Sequence, residues 1–414
     1  MRLPESENLV IIPTYWAPSE PATDGGKVTY DHPTPLENSE TLSRCLESLQ
    51  IIEGVEFDVL VVAGASTPEI MEEMGKRICA IAEAVRPKLA GELFVFTADR
   101  IPFCKEALAK LPTDAEGFLK IDGYSNMRNA MLLLAAVLQA KVVVMVDDDE
   151  YVTDPDFLGK VLKNLGTRVG GKTVDGLAGY YVKPDGEWET EEVDAPWAAY
   201  WPKNRLINRT YHKLLKGYGL PDLVETPMAF GGCIAMTRYL YQHIPFDRRV
   251  PRGEDMDYLI NARMFGYHFF MHRGWSVVHA PPPKSHPEWK RMRMDIVRFL
   301  NERQKLVQQA ERPNMSRVEL EDLMPYPGFF LGEDLMERFY GTSSLLAIEY
   351  LAKGCNREAL ECLENIAIAK RLQDSPRDGF LNLLELQKLW QGLHETIAAS
   401  EKCRAEMIGK MVFC

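Results

Sequence analysis

Four short, almost uninterrupted apolar runs, at residues 9–13, 57–63, 93–97 and 141–146, constrain this chain more than any other feature. A strand with one wet face alternates apolar and polar residues. A continuous run of this length instead suits a strand covered on both faces, as in a parallel sheet. Helical patterns at 40–52, 68–85 and 125–139 fall between the runs. Strand–helix alternation of this kind predicts a doubly wound α/β sheet, with ligands bound beyond the carboxyl ends of its strands.

From about residue 175 to 211 the pattern changes to short strands and loops rich in Tyr and Trp. Further strands are expected at 230–236 and 275–279, with a helix at 255–265 between them. Beyond Pro281-Pro282-Pro283 the sequence reads as helix at 289–309, 333–352, 356–372 and 379–411. The expected organisation is therefore one α/β domain over 1–290, with a first half at 1–155 and a second at 156–290. An all-helical extension follows over 291–414. Its apolar stripe suits either a cover on the second half or a homodimer contact.

Lys and Arg number 48 against 60 Asp and Glu, a net charge of −12. That balance argues against a nucleic-acid partner, whose binding rests on many cationic phosphate contacts, and against an anionic membrane surface. No apolar stretch is long enough for a transmembrane helix, and the short run near residue 9 has acidic flanks unlike a signal peptide. The eight cysteines are scattered without a C-x-x-C pair, which fits reduced thiols and a cytoplasmic protein.

Residues 166–173 satisfy G-x-x-x-x-G-K-[ST]. A phosphate-binding loop needs a strand before it and a helix after it, so that backbone amides and the helix dipole face the phosphates. Here a helical pattern precedes and a strand-like run follows, so a surface loop is expected.

The fourth apolar run leads straight into Asp147-Asp148-Asp149-Glu150. Strand alternation would point Asp147 and Asp149 the same way, with Asp148 opposite. Two carboxylates about 5 Å apart repel by about 3 kcal/mol at an effective dielectric of 20. A cluster at a buried strand's mouth therefore calls for a cation or hydrogen-bond donors, and hard oxygens suit magnesium or manganese. A solvated acidic turn is the alternative.

The segment from Asp122-Gly123-Tyr124-Ser125-Asn126-Met127-Arg128-Asn129 through to this acidic run resembles nucleotide-sugar glycosyltransferases of the GT-A fold, most of all glycosyltransferase family 2. Val10-Ile11-Ile12-Pro13-Thr14-Tyr15 resembles that family's opening strand and turn, and residues 41–49 its first helix. Phe230-Gly231-Gly232-Cys233 resembles its small-residue strand, Arg252-Gly253-Glu254-Asp255 its E-D motif, and Val277-Val278-His279 its late strand. The resemblance runs in order over about 8–280 and excludes the later helices.

It implies a Rossmann-like mixed sheet and a metal-dependent transfer of sugar from a UDP- or GDP-sugar to a hydroxyl acceptor. The implied carriers of the Mn2+ or Mg2+ are Asp147, Asp149 and His279. The implied donor contacts are Pro13, Tyr15, Ala63, Arg128, Asp147 and Asp148. Asp255 is the implied general base of an inverting reaction, with Glu254 and Asp257 as its neighbours. Arg128 suits either the donor diphosphate or an ion pair with the aspartates. Aromatics between the acidic motifs, among them Tyr181, Trp188, Trp197 and Trp201, suit sugar stacking or core packing. Residues 281–289, with Lys284 and His286, suit a lid or a linker. The second strand, ending Ala63-Gly64-Ala65-Ser66, lacks the carboxylate with which the family usually reads the base, leaving uridine and guanosine both open. A retaining transferase of the mannosylglycerate-synthase type and a non-catalytic binding or scaffold protein are the competing readings.

Overall fold

The apolar runs become the middle of one large sheet. The computed structural model describes residues 5–18, 30–37, 40–109, 116–217, 219 and 221–411. Among them the chain forms β1 (Asn8–Ala17), β2 (Thr34–Pro35), β3 (Asp58–Ala65), β4 (Leu93–Thr97), β5 (Val142–Met145) and β6 (Glu150–Tyr151). Two further strands, β7 (Arg168–Val169) and β8 (Lys172–Thr173), make a separate hairpin. β9 (Gly176–Val182), β10 (Leu223–Glu225), β11 (Ile234–Thr237) and β12 (Phe269–His279) complete the set. The ten-stranded sheet has the order β10-β12-β9-β11-β5-β1-β3-β4, with β2 on β1 and β6 on β12.

β1 runs parallel to β3 and β5, and β3 to β4; β11 enters antiparallel between β5 and β9, and β12 is parallel to β9. The sheet is therefore mixed α/β, as the alternation predicts. Leu9, Val10, Ile11 and Ile12 are all wholly buried, because apolar layers cover both faces. Leu9, Ile11, Leu60 and Val62 face the helix Tyr124–Val137 and the C-terminal helices. Val10, Ile12, Val59 and Val61 face the helices Glu40–Ser48 and Met71–Val85.

The C-terminal helices are Glu288–Gln308, Leu335–Ala352, Asn356–Gln373, Gly379–Ala399 and Glu401–Ile408. The single helix expected over 379–411 breaks at Ser400, whose hydroxyl accepts the Cys403 N–H and caps a new helix. These helices share one apolar core with the sheet. Trp390, for example, packs on Phe118 at 5.1 Å between ring centroids and donates its indole N–H to the Tyr241 carbonyl at 2.9 Å. Residues 166–173 form the β7–β8 hairpin between the helix Phe157–Asn164 and β9, as the inverted context predicts. Cys45, Cys104, Cys233, Cys355 and Cys362 are free, but Cys79 is disulfide-bonded, against the expectation of uniformly reduced thiols. No helix among the described residues is long and apolar enough to cross a membrane.

Within this helical core His394 is 2% exposed, with both ring nitrogens unpartnered, against Trp390 and Tyr241. Burial pushes its pKa down to about 3. An unfolded imidazole titrates near 6.5, so between the two values the unfolded state binds the extra proton and stability falls as pH falls. His394→Leu is expected to shrink the loss of unfolding free energy between pH 7 and pH 5 by about 2 kcal/mol. Urea unfolding at the two pH values measures it; an unchanged difference would refute the assignment.

Candidate active site

After β1, the chain adds β3 and β4 on one side and only later returns to add β5 on the other. This is the switch point at which open α/β sheets bind ligands. β5 pairs with β1 only as far as Ile11↔Met145, whereas β1 continues beside β3 to Trp16↔Ala65. The two strands part there, and a cavity of about 530 Å³ opens at their carboxyl ends.

β5 ends at Met145, so strand alternation does not extend through the acidic run. Residues 147–150 form a turn closed by the Glu150 N–H on the Asp147 carbonyl at 3.1 Å. The expected common face of Asp147 and Asp149 is replaced by three separate environments. Asp147 accepts from Arg128 Nη2 at 2.8 Å. Asp148 accepts from the hydroxyls of Thr14 at 2.6 Å and Thr34 at 2.8 Å, and burial beside Asp149 pushes its pKa up to about 8. Asp149 faces His279, with Oδ2 3.5 Å from Nε2. Burial raises Asp149, but the hydrogen bond and charge of His279 more than offset it and leave the carboxyl below its ordinary value.

The β6–β12 pairing sets the position of His279. Glu150 lies opposite His279 and Tyr151 opposite Val278, and the Ala280 N–H donates to the Asp149 carbonyl at 2.9 Å. One donor atom each from Asp149, Glu150 and His279 thereby lie within 4.8 Å of one another. Glu150 is wholly buried. Its Oε2 accepts from the Asp147 N–H, and Oε1 has no hydrogen-bond partner. Burial, and then the charges of Asp147 and Asp149, raise it well above the ordinary carboxylate value. A buried, unpartnered carboxylate oxygen beside a second carboxylate and an imidazole is a donor set that fits a divalent cation.

Arg128 reaches from the helix Tyr124–Val137 to both acidic motifs, with Nε 3.5 Å from Glu254 Oε1 in addition to its contact with Asp147. The ion pair with the aspartates is therefore realised. The small residues before β11 have a steric reason: a Cβ on Gly231 would lie 2.5 Å from Arg128 Nη2, and one on Gly232 2.1 Å from Glu150 Oε1. The Gly231 N–H donates to Asp255 Oδ2 at 3.0 Å, and the Met256 N–H to Oδ1 at 2.8 Å. Asp255, near the start of the helix Glu254–Met264, is thus oriented by two backbone donors and faces the same cavity. Burial, with the charge of Asp255 adding, pushes Glu254 up to about 7. Asp257 points away and pairs with Lys305 at 2.6 Å.

Pro13 and Tyr15 line the cavity with Arg128, all three aspartates of the run and His279; Ala63, wholly buried on β3, does not. Of the aromatics, Tyr181, Trp188, Trp197 and Trp201 line it. Tyr181 stacks on Phe230 and accepts the Gly232 N–H on its hydroxyl at 2.9 Å. Residues 281–289 run over residues 30–32: the Ser285 N–H donates to the Asp31 carbonyl at 2.8 Å and the His286 N–H to Asp31 Oδ1 at 2.9 Å. Most of the long segment after β1 lies outside the described residues. Its end supplies Tyr30, Asp31 and His32 to the cavity wall. Sequence reasoning gave Glu150 no separate role, although it closes the acidic run. It also passed over Asp31, Lys203, Asp295 and Arg298, which carry no local signal.

No family model and no curated protein sequence matches the chain. Among solved structures, it is similar to the Pyrobaculum calidifontis mannosyltransferase PcManGT in complex with GDP-Man and Mn2+, at 16% identity over 96% of this chain and 88% of that one, with a TM-score of 0.47. It is also similar to residues 1–349 of S. aureus TarS in complex with UDP, at 16% identity over 90% and 93%, with a TM-score of 0.40. A third is the Mycobacterium tuberculosis glucosyl-3-phosphoglycerate synthase, at 13% identity over 71% and 79%, with a TM-score of 0.35. At these identities and scores the functional reading rests on the site itself.

Proposed function

We propose that the chain is a metal-dependent GT-A glycosyltransferase of the family-2 kind, moving a sugar from a UDP- or GDP-sugar to a hydroxyl acceptor with inversion. The observation that carries this reading is that Asp149 and His279, whose donor set the buried Glu150 completes, share one cavity with Asp255 at the switch point of the sheet.

Asp149, Glu150 and His279 would hold the cation, with Asp147 at the same cavity wall. A bound Mn2+ or Mg2+ would supply neutralisation of the charge developing on the diphosphate leaving group. Pro13 and Tyr15 wall the donor end. Arg128, kept charged by Asp147 and Glu254 despite its burial, fixes the acidic turn against the helix that carries Asp255. Asp255 accepts the acceptor hydroxyl's proton as that oxygen bonds to the anomeric carbon and the bond from that carbon to the diphosphate oxygen breaks. The half-buried Trp188 side chain offers a flat apolar face for a sugar ring, whereas Trp197 and Trp201 are taken up in core packing.

The test is thermal unfolding with UDP, GDP and their sugar conjugates, each with and without manganese. A ligand at 100 times its dissociation constant adds about 2.7 kcal/mol, a shift of a few degrees. Asp149→Ala is expected to lose the manganese-dependent part of that shift while unfolding no earlier than the wild type without ligand, since it removes one of several crowded carboxylates. A manganese-dependent shift that survives the substitution would remove Asp149 from the metal site. The anomeric configuration of the product, read by NMR, tests inversion.

A further inference from the structure

The cavity is electrically two-ended. Asp147, Asp148, Asp149, Glu254 and Asp255 crowd one end around Arg128. The other lobe is walled by Lys203, Arg252, Lys284, Arg291 and Arg298. The carboxylates paired with these cations are Asp31, Glu288 and Asp295 on the wall and Glu302 behind Arg298, four against five; Lys183, Arg205, Glu189 and Glu192 line the rest of the cavity. Lys203 is spent on Asp295, at 2.7 and 2.8 Å. Arg252 lies 3.4 Å from Asp31, and Arg291 pairs with Glu288. Arg298 is 1% exposed and is held by Glu302 at 2.6 Å, yet its Nη2 has no hydrogen-bond partner; the Nε of Arg291 is likewise buried and unpartnered. Burial and the charge of Asp257 push Glu302 up to about 7 against the pull of Arg298. Burial, then Arg252 and Arg298, push Lys203 down to about 8 although Asp295 opposes them. Lys284, without an ion pair among the described residues, leaves one cation more than the four carboxylates that pair with the others, and an anion would relieve it.

The lobe belongs to the Asp255 side of the cavity. Arg252 is three residues before Asp255. Gly253 between them has φ +71°, and a Cβ there would lie 2.2 Å from Arg298 Nη1, so the Arg298 guanidinium packs directly on the start of the Asp255 helix. Arg291 and Arg298 come from the helix Glu288–Gln308, away from the acidic turn. On the transferase reading of this same cavity, we infer that the acceptor is an anion, whose carboxylate or phosphate seats among Lys203, Arg252, Lys284, Arg291 and Arg298 while its hydroxyl faces Asp255. The C-terminal helices then contribute directly to acceptor choice, and neutral sugars are poor acceptors because they leave the excess charge unrelieved.

Calorimetric titration of the full chain with inorganic phosphate, before and after saturation with Mg2+ and the nucleotide found above, tests this; lactate titrated alongside ranks carboxylate against phosphate. The expected result is that one or both anions bind the nucleotide-loaded protein. Lys284→Ala and Arg291→Gln should each weaken that binding at least about fivefold, leaving nucleotide affinity unchanged. Lys284 makes no ion pair among the described residues, so its removal is expected to leave the fold intact. If the anion is displaced by nucleotide and both substitutions weaken nucleotide instead, the cations serve the donor diphosphate and the inference falls. If Mg2+–nucleotide binds but neither anion does, the inference falls while the transferase reading stands. Anion binding without nucleotide binding under any metal condition overturns the transferase reading and the acceptor assignment with it.

Discussion

An Asp255→Asn enzyme is expected to bind its nucleotide donor as the wild type does and to transfer sugar at least about a hundredfold more slowly. Asparagine has nearly the same shape, and its one carbonyl oxygen can still accept the Gly231 N–H at 3.0 Å, at the loss of the bond from the Met256 N–H. The helix start and its contact with the small-residue turn therefore survive. What is lost is basicity. A positioned general base contributes about 10²- to 10⁴-fold, or about 2.7–5.5 kcal/mol of barrier. The proposed donor end, on Asp149, Glu150 and His279, is built from other elements, so nucleotide affinity should not follow the rate. Single-turnover transfer measured beside nucleotide affinity separates the two quantities. Wild-type transfer in this variant would exclude Asp255 as the base.

The second large effect concerns stability. Lys305 is wholly buried, with Nζ 2.6 Å from Asp257, 3.0 Å from Asp247 and 3.0 Å from Asn261. Burial works against its charge, but Asp247 and Asp257 more than offset this and hold its pKa above the ordinary lysine value. This ammonium ties the helix Glu288–Gln308 to the helix Glu254–Met264 that carries Asp255. Lys305→Met keeps the volume and leaves two carboxylates facing each other without it. Breaking a buried pair in this way costs about 3–5 kcal/mol. Arg249, on Asp247 at 2.9 Å, retains part of the compensation for that residue, so the exposed penalty falls mainly on Asp257. Adding Asp257→Asn to the methionine variant should recover much of the loss. Urea unfolding of both variants measures it, and a loss below about 1 kcal/mol for Lys305→Met would show that the pair does not hold the helices together.

The same contacts bear on how far the C-terminal helices are an appendage. A chain break near residue 290 is visible in composition, but helix Glu288–Gln308 packs against the Asp255 helix and supplies Arg291, Asp295 and Arg298 to the cavity. The resemblance that covers residues 8–280 has nothing to say about those side chains, because they lie beyond it.

The sequence by itself determined the four strands β1, β3, β4 and β5, through apolar runs continuous enough to require cover on both faces, but not β2, β6 or β10. It also determined the position of the acidic run after β5, the acidic start of the Asp255 helix and the rejection of residues 166–173 as a phosphate loop. These are local signals: periodicity, turn chemistry and neighbouring charge act over a few residues. Tertiary structure alone decided which acidic side chain joins which partner. Strand alternation put Asp147 beside Asp149, but β5 stops at Met145, and the β6–β12 register brings Glu150 to His279 across 129 residues of chain. The basic lobe is likewise drawn from residues 203, 252, 284, 291 and 298, whose spacing has no period. Sites of this kind are set by strand order and by which helix packs where. That choice depends on burying apolar surface from the whole chain at once, so no local stretch of sequence records it.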